Sequence, residues 1–431
     1  MGTEYAAPRG TRDILPGETE KWRFVEEQVH RTCADFGYAE VRTPLFEHSE
    51  LFGRLGEATD LVQKEMYSFD DRGGRGLTLR PEGTAPVARA YLQHHMDAWP
   101  QPVKLYYISP MFRYERPQAG RYRQHHQFGA EALGTLDPAI DAEVIMLAVE
   151  FYRRVGLSDL SLELNSIGCP ACRPGYREEL SRHFAPHLDR MCGDCQVRFE
   201  RNVLRMLDCK QPECREVSAG APRSTDHLCP ECRRHLDELI LYLEAAGLNW
   251  RLNPRLVRGI DYYTKTVFEV SAAVLGADRA LGGGGRYDGL IAELGGPDTP
   301  AVGFGLGLDR LLIVLEEGGL LLPVGQGVEA FLACAGEGAH AAAFKLLMEL
   351  RRAGVAADMD FTQRSLKAQM KAADHMRARY VVIVGQDELA RGKVILREMS
   401  GGGQSELEVH ELVPRLVGLA RKSLRDGSEG K

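Results

Sequence analysis

Regular spacing of apolar positions begins between Glu18 and Phe36, where Trp22, Val25, Val29, Cys33 and Phe36 recur three or four residues apart and predict an amphipathic helix. Gly37 supplies its stop, and "YAEVRTPLFE" follows as a strand ending near Pro44. "LTLRPEGTAPVARAYLQ" reads as a strand leading into a helix, and "KLYYISPMFRYER" as a strand that ends in arginines. "LSLELNSIG", "WRLNPRLVRGIDYYTKTVFEVSA" and "PAVGFGLGLDRLLIVLEE" add more strands and a closing helix. These strands are long and follow one another, with helices at the ends of the run. That order predicts an α+β fold built on a mainly antiparallel sheet with flanking helices.

After Gln326 the rhythm changes. "VEAFLACAG", "AHAAAFKLLMELRRAG", "VAADMDF", "SLKAQMKAADHMRA", "YVVIVG" and "KVILREM" alternate strand and helix over about 100 residues, the size of an independent α/β domain. The stretch "GGLLLPVGQG" reads as the linker. The expected division is therefore a first domain over 1–325, carrying a mostly helical insertion over about 169–250, and a second over 326–431. No internal repeat is visible, and "GGGQS" and the polar tail "RKSLRDGSEGK" are the low-complexity tracts.

Composition narrows the function classes. At 431 residues, 44% of them hydrophobic and 27% charged, the chain can bury a sizeable core. No apolar run approaches the ~20 residues of a membrane helix, and the start "MGTEYAAPRGTRD" lacks the regions of a signal peptide, so a cytosolic protein with no membrane partner is expected. The net charge is -7, yet the segment after Gln326 carries a slight positive excess, which makes it the less repulsive surface for nucleic acid.

Eight of the ten cysteines fall in pairs: Cys169 with Cys172, Cys192 with Cys195, Cys209 with Cys214, and Cys229 with Cys232. Pairs at this spacing present two thiolates to one tetrahedral zinc, and four pairs make two structural four-thiolate sites. Free thiols packed as small hydrophobes, or a redox relay, are the alternatives. Disulfides are unexpected in a reducing compartment.

The stretch "MFRYERPQAGRYRQHHQ" gathers four arginines in 17 residues within an acidic chain. Arg113 follows a strand and offers a planar fork to phosphate or carboxylate oxygens. Arg116, Arg121 and Arg123 follow in a loop marked by Pro117 and Gly120, a composition that suits a polyanion. A solvated loop of charges is the plainer reading. "LGGGGRYDGL" lets a ligand approach the backbone closely but lacks the Lys-Ser/Thr ending of a phosphate-binding loop, so side chains must hold any nucleotide. "VGFGLGLDRLL" likewise sets small residues on a strand before Arg310 at a helix start.

In order and separation, Pro44 after a long helix, "MFRYE" around Arg113 and "GFGLGLDRL" ending at Arg310 resemble the three motifs of class II aminoacyl-tRNA synthetases. "TLRPEGTA", "RPQAGRYRQHHQ", "LVRGIDYY" and "GGGGRYDGL" resemble the histidyl-tRNA synthetase branch, over essentially the whole chain. A zinc-knuckle nucleic-acid-binding protein would explain the cysteines and arginines but leave the glycine strands and Glu82 unemployed. A regulatory paralogue of histidine biosynthesis would lack the domain after Gln326.

The resemblance implies activation of L-histidine by ATP with Mg2+, then transfer to tRNA(His). Arg113 and Arg258 match arginines on either side of the α-phosphate, Arg310 matches the cation over the adenine, and Glu115 would accept from its amine. His125 stands where many relatives have a stacking phenylalanine, which implies some pH sensitivity. Glu82, Gly83, Thr84 and Gln127 match positions around the α-amino group, and Glu131, Tyr262 and Tyr263 match those around the imidazole. Arg116, Gln118, Arg121 and Arg123 would meet the tRNA acceptor end. The C-terminal domain resembles an anticodon-binding domain, and the Pro44 motif implies a homodimer.

Overall fold

The computed structural model of the protein describes residues 5–54, 64–116, 120–274, 277–320, 322, 327–336 and 338–429. The chain divides into two compact units, Met1–Pro323 and Val324–Lys431.

In the first unit, α1 (Thr19–Asp35) buries Trp22, Val25, Val29 and Cys33 along one face, and Gly37, at a φ of 73°, turns the chain out of it. The strand expected through Pro44 is broken into β1 (Ala39–Glu40) and β2 (Phe46–His48). Pro44 has no N–H for a ladder, and the buried Arg80 takes the carbonyls of Thr43 and Pro44 at 3.0 and 3.3 Å. There follow α2 (Ser49–Gly53), β3 (Tyr67–Asp70), β4 (Gly76–Leu79), α3 (Thr84–Gln93), β5 (Val103–Phe112), β6 (Gln124–Leu133), α4 (Pro138–Arg154) and β7 (Leu160–Ser166). A helical excursion carries α5 (Arg173–Phe184), α6 (Gly193–Arg201), α7 (Pro212–Ala219) and α8 (Pro230–Ala245). The chain returns to the sheet with β8 (Arg251–Leu252), β9 (Thr264–Val274), β10 (Ala277–Arg286), α9 (Leu290–Glu293), β11 (Ala301–Gly307) and α10 (Leu308–Glu317).

Among the described residues, eight strands form the main sheet in the order β1-β5-β6-β11-β10-β9-β7-β8, antiparallel except for the outer pairs β1–β5 and β7–β8. β2, β4 and β3 form a small separate sheet. Side-chain alternation divides the main sheet's two faces. Tyr106, Phe128, Ala130, Ala132, Val302, Phe304 and Leu306 join a core with residues of α1, α4, α8 and α10. On the other face, Leu105, Tyr107, Met111, Val267 and Tyr287 pack with α3, α9 and the loop before β9. A fully buried Arg286–Asp141 ion pair ties the end of β10 to α4, with Arg286 also donating to Thr135 O at 2.9 Å, so the pair's remaining donors are used.

In the second unit, β12 (Ala330–Ala335), β13 (Ala357–Met359), β14 (Tyr380–Gly385), β15 (Lys393–Glu398) and β16 (Gln404–Glu408) order as β13-β12-β14-β15-β16. α11 (Ala339–Arg352), α12 (Leu366–His375), α13 (Gln386–Ala390) and α14 (Val409–Glu429) accompany them. As far as Glu429 the polar tail expected at the end is part of α14: Leu412 and Leu416, one turn apart, are buried in this unit's core and start the segment as helix.

Candidate active site

The second face of the main sheet is floored with glycine. β11 alternates Val302, Phe304 and Leu306 toward the helices with Gly303, Gly305 and Gly307 on the opposite side, where its register pairs Gly303 with Glu131 and Gly307 with Gln127. A methyl group at Gly303 would stand 1.7 Å from Glu131 Oε2, and one at Gly305 would stand 1.8 Å from Gln127 Nε2. The two polar side chains lie flat in space that a side chain would otherwise fill. On β10, a Cβ at Gly283 or Gly285 would strike the β9 backbone first, at Phe268 O and Thr266 O, and would also stand 3.0 Å from Arg258 or Tyr263.

Arg113, Arg258 and Arg310 open onto one cavity of about 330 Å³, together with Glu115, His125, Gln127 and Asp309. They arrive from three places: the end of β5, the loop before β9 and the first turn of α10. Arg113 Nε donates to Pro81 O at 2.7 Å, Arg258 Nη1 stands 3.4 Å from Glu269 Oε2, and Arg310 Nη1 donates to Ala280 O at 2.9 Å. Asp309, beside Arg310, accepts from the His126 backbone N–H at 2.6 Å and so pins β6 to α10. A second cavity, of about 650 Å³, shares Arg113, Glu115, Arg121 and Arg258 and extends to Arg205, Lys210 and Arg215 of the helical excursion. His125 lies in the first cavity with its pKa held down to about 3 by burial and then by Arg113. Its ring is therefore held toward the neutral form in the empty site.

Deeper under this cavity lies a pocket of carboxylates and hydroxyls. Glu82 Oε2 and Oε1 accept from the Thr84 and Ala85 amides at 2.7 and 2.8 Å, the orphan donors at the start of α3. Burial raises its pKa, and those amide bonds oppose the rise. Glu131, with no solvent exposure, accepts from Thr84 Oγ1 at 2.8 Å and Tyr287 Oη at 2.5 Å, with Tyr107 Oη 3.5 Å away. Burial pushes its pKa up to about 8 against the pull of these hydroxyls. The ring of Tyr262 lies 4.8 Å from that of Tyr263, and its hydroxyl stands 3.5 Å from Glu82 Oε2. Gln127 Oε1 is buried without a hydrogen-bond partner and so offers an acceptor to a ligand donor.

The structure thus groups Glu82, Thr84, Glu131, Tyr262 and Tyr263 by contact, and Gly83 borders them because a Cβ there would strike the Tyr107 ring. It separates the members of the arginine loop. Arg116 and Arg121 are exposed, and Arg121 stands 3.7 Å from Glu115. Arg123 is turned inward, its guanidinium 3.9 Å above the Tyr114 ring. Gln118 lies outside the described residues. Two pocket residues went unnoticed in the sequence, Tyr107 and Tyr287. Alternation along β5 and a tyrosine next to the glycine run were the available signals.

The cysteines gather into two groups: Cys169, Cys172, Cys229 and Cys232, and Cys192, Cys195, Cys209 and Cys214. Within each, all four sulfurs lie within 4.8 Å of one another. Measured separations are 3.6 Å (Cys169–Cys172), 4.0 Å (Cys169–Cys229) and 3.8 Å (Cys192–Cys209). A tetrahedron of 2.3 Å metal–sulfur bonds has edges of about 3.8 Å. The first group joins the start of α5 to the start of α8, and the second comes from the chain between them.

Residues 10–311 match the family model described as histidyl-tRNA synthetase, and residues 320–419 match the anticodon binding domain. A histidine–tRNA ligase of Desulforamulus reducens is 54% identical over 407 residues, covering 94% of this chain and 97% of the relative. One from Desulforudis audaxviator is 55% identical over 412 residues, covering 95% and 97%. The crystal structure of apo histidyl-tRNA synthetase from S. aureus superimposes with a TM-score of 0.82 at 40% identity, covering 96% of this chain and all of that one.

Proposed function

The chain belongs to the histidyl-tRNA synthetase family, and from that premise we propose how its own residues divide the reaction. It is a histidine–tRNA ligase: L-histidine and ATP give histidyl-adenylate and pyrophosphate, and the histidyl group then passes to the 3′ end of tRNA(His). Carboxylate and phosphate repel as they approach, and charge grows on the phosphoryl oxygens. Fixed cations in a confined site are what such a step requires.

The observation that carries the assignment is the meeting of Arg113, Arg258 and Arg310 in one cavity, next to the polar pocket. Arg113 and Arg258 hold the α-phosphate between them. Arg310 covers the adenine, with the neutral ring of His125 available to stack, and Glu115 accepts from the adenine amine. ATP enters as its magnesium complex. Gln127 Oε1, Glu82 and Thr84 take the α-ammonium group, for which an unpartnered acceptor beside a carboxylate is a suitable receptor. Glu131 and Tyr263 bind the two imidazole nitrogens, backed by Tyr262, Tyr107 and Tyr287. An apolar amino acid would leave these groups unpaired and be rejected strongly.

The acceptor end of tRNA(His) meets the exposed Arg116 and Arg121, while Arg123, stacked on Tyr114, shapes their loop. Residues 326–431 read the anticodon, as the match to an anticodon-binding domain supports; the regulatory paralogue weighed above would lack this domain. Two copies form a homodimer around the Pro44 motif, supported by Leu45 and Phe46, which are apolar and about half exposed there. Each cysteine group holds one structural zinc, which supplies cross-linking rather than chemistry.

Histidine-dependent exchange of pyrophosphate into ATP tests the reading. Exchange with histidine and none with threonine, proline or glycine is expected. Arg258→Ala should retain the wild-type melting temperature and slow exchange by roughly 10²–10³-fold. Unchanged kinetics would remove Arg258 from the mechanism.

A further inference from the structure

Behind the loop that carries Arg258, Tyr262 and Tyr263, the helical excursion meets the catalytic sheet around a second, small cavity. Its lining includes Arg173, Arg177, Arg205 and Arg258, with Asp261 the acidic member among the described residues and Asn202 beside it. Asp261 is already engaged, accepting from Asn202 Nδ2 at 2.6 Å. Arg173 opens α5, and Arg177 follows one turn later on the same face. Arg205 comes from a different segment, the short turn Val203–Met206, and lies against Gly259. Arg173 Nε and Nη2 are buried and have no hydrogen-bond partner. The opposing acceptor Asn202 Oδ1 is buried and unpartnered as well.

Four guanidinium groups line the cavity with one carboxylate, and Glu293 acts on Arg173 from outside it. Arg258 has a second partner in Glu269, but Arg173, half-buried, leaves two buried donors without an acceptor, which is destabilising. The cavity measures about 30 Å³. A single water needs about 10–15 Å³ of such space, so there is room here for a small inorganic anion. We propose that this cavity is a binding site for a small inorganic anion, held by Arg173, Arg205 and the exposed Arg177. The ion accepts from the orphan Arg173 donors and neutralises the arginine excess against which Asp261 is set. Asp261 adjoins Tyr262, so the bound ion braces the segment that shapes the substrate pocket from behind, at a site that touches the reaction cavity through Arg205 and Arg258 but takes an anion of its own.

The direct test is a crystal of the full chain soaked in bromide, with the active site filled by a non-hydrolysable histidyl-adenylate analogue so that its own arginines are occupied. An anomalous peak between Arg173 and Arg205 is expected. Bromide peaks elsewhere with water alone at this place would overturn the proposal. In solution, replacing gluconate by chloride at constant ionic strength should raise the melting temperature of the analogue-bound enzyme by roughly 2–4 °C. Arg173→Gln and, independently, Arg177→Gln should abolish that rise, while Arg173→Lys keeps part of it. A chloride effect of equal size in both glutamine variants would sink the assignment. A rise with phosphate in place of chloride, lost in the same two variants, would identify the anion as an oxyanion, and no rise with either salt would refute the site. Loss of histidine-dependent exchange in the wild type would strike the reaction assigned above and leave this test untouched.

Discussion

A methyl group at Gly305 would meet Gln127 first: the three atoms nearest to it all belong to that side chain. Gly305→Ala is therefore expected to fold with a melting temperature close to wild type while displacing Gln127 from the amino-acid pocket. The KM for histidine should rise about 10–100-fold, the scale of an ångström's misplacement, as read in the exchange assay. Gly303→Ala is a harsher change, because the new atom would also press on the Ala130 carbonyl at 2.5 Å. Glu131 makes a different prediction through protonation. Its folded pKa is about 8, above its ordinary value. Between about pH 5 and 8 the unfolded chain has released this proton and the folded chain has not, so the group's contribution to stability falls as pH rises across that window. Glu131→Gln escapes the loss. The melting temperature of the variant minus that of wild type should increase from pH 5 to pH 8, and a constant difference would show that Glu131 is ionised in the empty pocket.

At the scale of elements, the site depends on register. β6 and β11 alternate large apolar side chains on one face with polar residues and glycines on the other, and the pairing of Gly303 with Glu131 makes the floor fit. Much of this was legible in the sequence, since "FGLG" and "GGGG" announce a surface without side chains and the arginines end strands or begin helices. Tyr107 and Tyr287 showed only as an inward position on β5 and a tyrosine by the glycine run, because the carboxylate they face, Glu131, is distant in sequence. The break at Pro44 was hidden for the same reason: Arg80, which captures its carbonyl, lies 36 residues away. Cysteine spacing gave the pairs but not the partners, and the fold joins the outermost pairs to each other. Cys192→Ser is expected to lower bound zinc from about two equivalents to about one while Cys169→Ser removes the other, measured by metal analysis under reducing conditions. Less than one equivalent in the wild type would refute zinc at either place.

For the whole molecule, the two units separate tasks that can be measured apart. A chain ending at Pro323 keeps the cavity, the polar pocket and both cysteine groups. It should retain histidine-dependent exchange within a few-fold while charging of tRNA(His) falls by about 10²-fold or more, as a second point of attachment is lost. Equal charging by the shortened chain would detach the C-terminal unit from tRNA recognition. The clasp formed by Cys169, Cys172, Cys229 and Cys232 bears on how such a protein tolerates change. The starts of α5 and α8 are fastened at one point, so a change of length between them need not be transmitted to the sheet through the chain ends. Turns between residues 173 and 228 can lengthen or shorten as a cassette wherever they lie away from Asn202 and Arg205, whose contacts with the loop of Arg258 and Asp261 stay fixed.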